Sequence, residues 1–211
     1  MQQQIIFREY QSKDRKALEN IIRITWGYDK FCTPKTAAKL AKAYLGNCLA
    51  NQTFTQVAVE NGKPIGIIMG KKLKGFPLSR RFYFQKIRST IPTILSREAR
   101  SVSGIFQTVE KIDQEFLRDS NLNYDAEVAF FAIHPESRGK GVGKQLFQRL
   151  MDYFKQEQLR KFYLFTDTSC NYPFYEHMGM TRRKSKNGSF QIKGHHHDMT
   201  FFLYDGQNPI K

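Results

Sequence analysis

A mixed α/β sheet in one domain, residues 1–211, is the fold class the sequence predicts, and three observations predict it. The chain has 211 residues, 40% hydrophobic and 25% charged, the composition and length of an ordinary globular domain. Apolar residues recur with a period of two in some segments and at helical spacing in others, and the two kinds interleave along the chain. One run of strand formers, Glu127–Ile133, passes through a glycine-rich loop into a strongly amphipathic helix.

The elements follow in order. Gln4–Tyr10 reads as a first strand, and Ser12-Lys13-Asp14 caps a helix with apolar positions Ala17, Ile21, Ile22 and Trp26. Thr33-Pro34 opens a second helix, since threonine caps and proline suits the first turn. Thr53–Glu60 and Lys63–Gly70 form a hairpin about Asn61-Gly62. Lys71–Asn121 is too long for a loop, and Ile105, Phe106, Val109, Ile112, Phe116 and Leu117 mark an amphipathic helix within it. This stretch is read as a helical insertion between the third and fourth strands. Glu127–Ile133 is the fourth strand, a helix runs on from Gly141, and Lys161–Thr166 is the fifth strand. A short helix, Pro173–Met178, ends at Gly179, and strands near Met180–Ser185 and Met199–Tyr204 close the chain.

Charge and cysteines narrow the function classes. Thirty-four Lys and Arg against 19 Asp and Glu give a net charge of +15, so a polyanion is an expected partner. Residues 71–100 hold nine Lys and Arg and one acid, Glu98. Cys32, Cys48 and Cys170 form no C-x-x-C pair, which disfavours a disulfide scaffold or a cysteine-rich zinc site and points to a cytoplasmic protein. No apolar run approaches the roughly 20 residues of a membrane span, and no signal peptide is visible. Membrane, secreted and fibrous classes are excluded on these grounds.

The densest chemical signal is His134-Pro135-Glu136-Ser137-Arg138-Gly139-Lys140-Gly141-Val142-Gly143-Lys144. Glycines let backbone approach a ligand, the N–H groups of a helix start bind phosphate, and Arg138, Lys140 and Lys144 add charge. A tight basic turn without a ligand is the plain alternative. Gly139 and Gly143 enclose three residues, not the four of a P-loop, and Gln145 follows Lys144. The dinucleotide fingerprint G-x-G-x-x-G fails at Lys144.

The pattern that does fit is Arg/Gln-x-x-Gly-x-Gly, filled by Arg138, Gly141 and Gly143. With the preceding strand Glu127–Ile133 and the downstream Phe174-Tyr175-Glu176-His177-Met178-Gly179-Met180, the sequence resembles the GNAT superfamily of acyl-CoA-dependent N-acetyltransferases. The resemblance implies a mostly antiparallel twisted sheet flanked by helices, with acetyl-CoA between the fourth and fifth strands. It implies that the pyrophosphate meets the backbone of Arg138, Gly139, Lys140, Gly141, Val142, Gly143 and Lys144. Ala132 and Ile133 take the position where a strand bulge frees backbone groups for the pantetheine arm and the thioester oxygen. Asn171 is similar to an asparagine that contacts CoA, although it lies closer to Tyr175 than is usual in the family.

The resemblance also implies an enzyme that moves acetyl directly to an amine in a ternary complex. At pH 7 an ammonium of pKa about 10.4 lies about 3.4 units, or roughly 4.6 kcal/mol, from its reactive form, so a base helps. Glu127 matches the family's carboxylate, with a salt-bridged strand end as the alternative and Asp125 close by. Tyr175 matches the acid that protonates the leaving thiolate, with a packed core tyrosine as the alternative and Tyr172 in reserve. A non-catalytic acyl-CoA sensor acting on a protein partner is the rival function. The acceptor is a small-molecule amine or a protein amine. No metal is expected: His195-His196-His197 reads as a solvated turn, and Cys170 as a small buried thiol. The basic, aromatic stretch at residues 71–100 (Phe76, Phe82, Tyr83, Phe84) reads as a half-buried helix with snorkelling cations rather than a nucleic-acid site. The insertion is expected to cover one rim of the acceptor pocket. If its basic face is functional the acceptor or its carrier is anionic; a solvated lid or a homodimer contact is favoured over that.

Overall fold

Residues 4–75, 80–192 and 195–208 are described by the computed structural model. The strands are β1 (Ile5–Arg8), β2 (Phe54–Glu60), β3 (Lys63–Lys72), β4 (Ala126–Ile133), β5 (Lys161–Asp167), β6 (Thr181–Ile192) and β7 (His195–Gln207). They form one sheet in the order β1-β2-β3-β4-β5-β7-β6. Every neighbouring pair is antiparallel except β4 and β5. The helices are α1 (Arg15–Thr25), α2 (Tyr28–Phe31), α3 (Pro34–Ala50), α4 (Arg80–Ile94), α5 (Arg97–Ser120), α6 (Val142–Gln156) and α7 (Pro173–His177). Among the described residues no helix is long and apolar enough to cross a membrane.

The expected order of elements is present, with differences of detail. The first helix ends at Thr25, because Gly27 takes a left-handed φ of 59° and a separate turn, α2, starts at Tyr28. The insertion is helical as expected, with two helices where at least one was read. The last hairpin is much longer than read, and its register pairs Gln191 with His196 and Phe190 with His197. The histidine run therefore lies in β7 rather than in a turn; the side chain of His195 is outside the described residues.

A further difference is α4, which is inverted. Its small polar residues face α3: Ser89 and Thr93 are buried, and the Thr93 hydroxyl donates to the Lys39 carbonyl. A Cβ on Gly46 would come within 2.2 Å of Ser89 Oγ, so the two helices meet at a glycine. Tyr83, Phe84, Ile87, Ile91, Ile94 and Leu95 are exposed, the reverse of a half-buried helix with its apolar side inward. Lys72 of the basic stretch pairs with Glu157 at 2.9 Å. Phe76 and the side chains of Arg80 and Arg81 fall outside the described residues. Glu98, the only acid of residues 71–100, accepts from the Thr33 N–H and from the Thr33 and Thr36 hydroxyls. It thereby ties the start of α5 to the start of α3.

The sheet is covered on both faces. On one, Leu18, Ile21, Leu45 and Leu49 of α1 and α3 pack on Ile67, Met69, Phe130 and Ala132. On the other, Leu146, Phe147, Leu150 and Phe154 of α6 pack on Ile68, Val128, Phe162 and Leu164. Helix α5 lies beside α1–α3, its Ile112 and Phe116 set on Tyr163, Phe201 and Leu203 of β5 and β7. Strand β4 changes face halfway. Met69 pairs with Phe130 but Gly70 with Val128, so Ala129 is a bulge. Before it Ala126 and Val128 face α6; after it Phe130 and Ala132 face α1–α3.

Candidate active site

Strands β4 and β5 pair only at Ala126–Phe162 and Glu127–Tyr163 and then diverge. A cleft of about 110 Å³ opens where they part, walled by Phe131, Ala132 and Ile133 of β4, by Arg138 and Gly143, by Cys170, Asn171, Phe174 and Tyr175, and by Thr25 and Trp26. The His134 N–H donates to Ile65 O on β3. Strand alternation therefore turns the backbone groups of Ile133 and Phe131 toward the cleft and those of Ala132 toward β3. The expectation that Ala132 and Ile133 carry the bulge is corrected: the bulge is at Ala129, and the exposed backbone edge belongs to Phe131 and Ile133.

The glycine loop closes one end of this cleft. Gly139 and Gly141 have φ of 78° and 74°, which side chains resist, and open space surrounds the place of each missing Cβ. Gly143 has another reason: a Cβ there would lie 3.1 Å from Ile133 Cδ1 and 3.6 Å from Phe131 Cζ. No side chain caps α6, and its ladder begins with Gln145 N–H to Gly141 O. The N–H groups of residues 139–144 have no backbone partner among the described residues, leaving a helix start ready for an anion. Val142 contributes only its backbone, since its side chain is buried under α6. Arg138 and Lys144 are exposed, whereas Lys140 Nζ lies 3.1 Å from Glu60 Oε1 on β2.

Proline at the first turn starts α7, which sets Tyr175 in the cleft wall beside Asn171 and Cys170. Burial, with Cys170 and Asp167 adding to it, pushes the Tyr175 hydroxyl well above its ordinary value, so it is neutral. Tyr172 is not in the wall; its ring packs on Phe202 and under the Arg182 guanidinium. Cys170 is half-buried, and its thiol is pushed up by burial and by Asp167.

Trp26 and Cys170 are also walls of a second cavity of about 280 Å³ on the face that holds α5. Tyr28, Phe31, Tyr44, Phe106, Phe165 and Phe201 line it, with Val102, Ile105 and Val109 of α5. Its titratable members include the acids Asp113 and Asp167 and the basic side chain His197, with no Lys or Arg among the described residues. Burial, with Glu127, Asp167 and Glu110 adding like charge, raises the Asp113 carboxyl to about 7. Glu127 does not line either cavity. It lies beneath, 4.0 Å from Lys71 Nζ and bonded to Tyr163, and burial raises it too, against the pull of Lys71. The insertion thus walls the second cavity, but with apolar and acidic residues rather than basic ones. The sequence reading did not single out Asp113 or Trp26 for the site. Asp113 had a signal: it is an acid at a core position of the stripe Phe106-Val109-Asp113-Phe116.

The splayed strands, the uncapped helix start and the tyrosine beside them are the arrangement that the resemblance to the GNAT acyltransferases implies. Residues 111–180 match the family model for the acetyltransferase (GNAT) family. No curated protein matches it. The structure is similar to that of smu.2055 from Streptococcus mutans UA159, with a TM-score of 0.59 and 15% identity over 97% of this chain and 99% of that one. It is similar to the ribosomal-protein-S18-alanine N-acetyltransferase from Escherichia coli, with a TM-score of 0.56 and 10% identity over 99% and 96%. A third is Arabidopsis thaliana NAA60 in complex with a bisubstrate analogue, with a TM-score of 0.54 and 17% identity over 96% and 98%. At these identities the likeness is one of fold.

Proposed function

We propose that the protein transfers an acetyl group from acetyl-CoA directly to a primary amine, with both bound at once. The observation that supports this most is the meeting of two cavities at Trp26 and Cys170. One ends at an uncapped helix start and the other carries carboxylates. The pyrophosphate takes the free N–H groups of residues 139–144, with Arg138 and Lys144 alongside and Asn171 at the wall. The pantetheine arm lies along the edge of Phe131 and Ile133, whose N–H groups reach the thioester oxygen as it gains charge.

The ammonium gives a proton to a carboxylate, Asp113 in the cavity wall or Glu127 beneath it by way of water, and its nitrogen attacks the thioester carbon. The C–N bond forms, the nitrogen gives up its second proton to solvent, the C–S bond breaks, and the sulfur leaves as thiolate. The neutral Tyr175 hydroxyl supplies the thiolate's proton and regains one from solvent. Both carboxyls are raised toward the pH at which a base works well. Calorimetry with acetyl-CoA, and CoA thiol release with a panel of amines, test the proposal. Tyr175→Phe is expected to lower turnover at least about tenfold with acetyl-CoA affinity unchanged. No binding of millimolar acetyl-CoA, or no thiol release with any amine, overturns it.

A further inference from the structure

Asp113 is a half-buried carboxyl with no hydrogen bond and no cation among the described residues. The charged groups around it are Glu110 on its own helix, Glu127 on β4 and Asp167 on β5, all acids. Asp167 Oδ1 already accepts from the Ser169 N–H and hydroxyl, at 2.7 and 2.5 Å. Two carboxyls, Asp113 and Asp167, in a largely apolar cavity with His197 as its basic lining residue and no Lys or Arg among the described residues form a place that is short of a cation. The contrast with the rest of the chain is sharp, because its net charge is +15.

We infer that the second cavity takes a small primary amine carried on an aromatic body, its ammonium held at Asp113 and Asp167 and its ring among the aromatic walls. The inference rests on reading this cavity as the acceptor side of the acetyl transfer. Trp26, Tyr44, Phe106, Phe165 and Phe201 offer faces and edges to a ring and to the cation beside it. Tyr28, buried to 3% exposure, lines the same cavity, and its hydroxyl has no hydrogen-bond partner among the described residues. A diamine would bury its second ammonium against apolar walls, and an anionic acceptor would meet like charge. The volume, about 280 Å³, suits a small molecule.

The test uses 2-phenylethylamine, its neutral counterpart 2-phenylethanol, 1,4-diaminobutane and the tripeptide trialanine. Calorimetry on the full chain is expected to show the amine binding about tenfold or more tighter than the alcohol, the difference one charge-assisted contact makes. Its kcat/KM should exceed that of the diamine and the tripeptide by a similar factor of about ten. Asp113→Asn should erase the preference for amine over alcohol and leave acetyl-CoA affinity unchanged; Val109→Trp should block the amine alone. Equal binding of amine and alcohol by the unaltered protein, or preference for the diamine or tripeptide, overturns the inference. Acetyl-CoA binding is measured on the same sample. Its absence overturns the acetyltransfer reading, while the amine–alcohol comparison still decides the inference.

Discussion

Trp26 stacks on Phe130, with ring centroids 5.7 Å apart and planes 22° from parallel. The contact depends on the bulge at Ala129, because without it Phe130 would face α6. Trp26 is half-buried and walls both cavities. Trp26→Ala is expected to cost about 2–3 kcal/mol, less than a fully buried Trp, and to raise KM for the amine more than for acetyl-CoA. Trp26→Phe, which keeps a ring on Phe130, should restore most of both. Urea midpoints and steady-state kinetics on the two variants check this.

The loop cations should behave unequally. Arg138 lines the acyl cleft, and Arg138→Gln is expected to weaken acetyl-CoA about tenfold, as loss of one charge-assisted contact does. Lys140 is held by Glu60, so Lys140→Gln should shift acetyl-CoA affinity by no more than about twofold and stability by less than about 1 kcal/mol. Calorimetry on the pair reads the difference directly.

Asp113 sets a pH dependence with a definite sign. The folded protein keeps its proton up to about 7, whereas an unfolded chain releases it near pH 3.9. Between those values the unfolded state binds fewer protons, so stability falls as pH rises toward 7 and the loss is complete above it. Asp113→Asn is neutral in both states and escapes the loss. It should be more stable than the parent at pH 8, with the gap closing as pH falls from 7 toward 4. Denaturant titrations at pH 8, 6 and 4 measure it. A variant that is stabilised yet binds amine poorly is what a strained, ligand-seeking carboxyl predicts.

Gly206 on β7 lies under the ring of Phe162: a Cβ there would come within 2.5 Å of Cζ and 3.0 Å of Cε2. Gly206→Ala should cost about 1–3 kcal/mol through overpacking while leaving the acetyl-CoA constant unchanged. A thermal melt beside a binding isotherm separates the two effects.

What the sequence disclosed and what it hid have separate physical causes. Asn61-Gly62 announces its hairpin because both residues take positive φ, 51° and 77°. The loop at residues 138–144 is equally plain, since the left-handed backbone at Gly139 and Gly141 leaves glycines behind. The bulge at Ala129 left no mark: Glu127–Ile133 is apolar enough on both faces that a switch of face changes nothing in its pattern. The long final hairpin was hidden for the opposite reason. Residues 181–187 are mostly polar and exposed, so alternation had no buried face to reveal. Helix α4 defeats pattern reading because its contact with α3 rests on Ser89, Thr93 and a glycine, while most of its apolar residues other than Phe82 are exposed.

The position of the insertion has a consequence for how this protein can change. Strands β3 and β4 are antiparallel neighbours, paired from Gly66–Ile133 to Lys72–Ala126, so two or three residues would suffice to join them. The detour between them is not needed to set sheet register, although Ile112 and Phe116 within it are held by their packing on β5 and β7. The wall it supplies belongs to the second cavity and not to the first. On the proposed function, substitutions at the cavity-facing Val102, Ile105 and Val109 are therefore a route to a new amine specificity with acetyl-CoA affinity left in place.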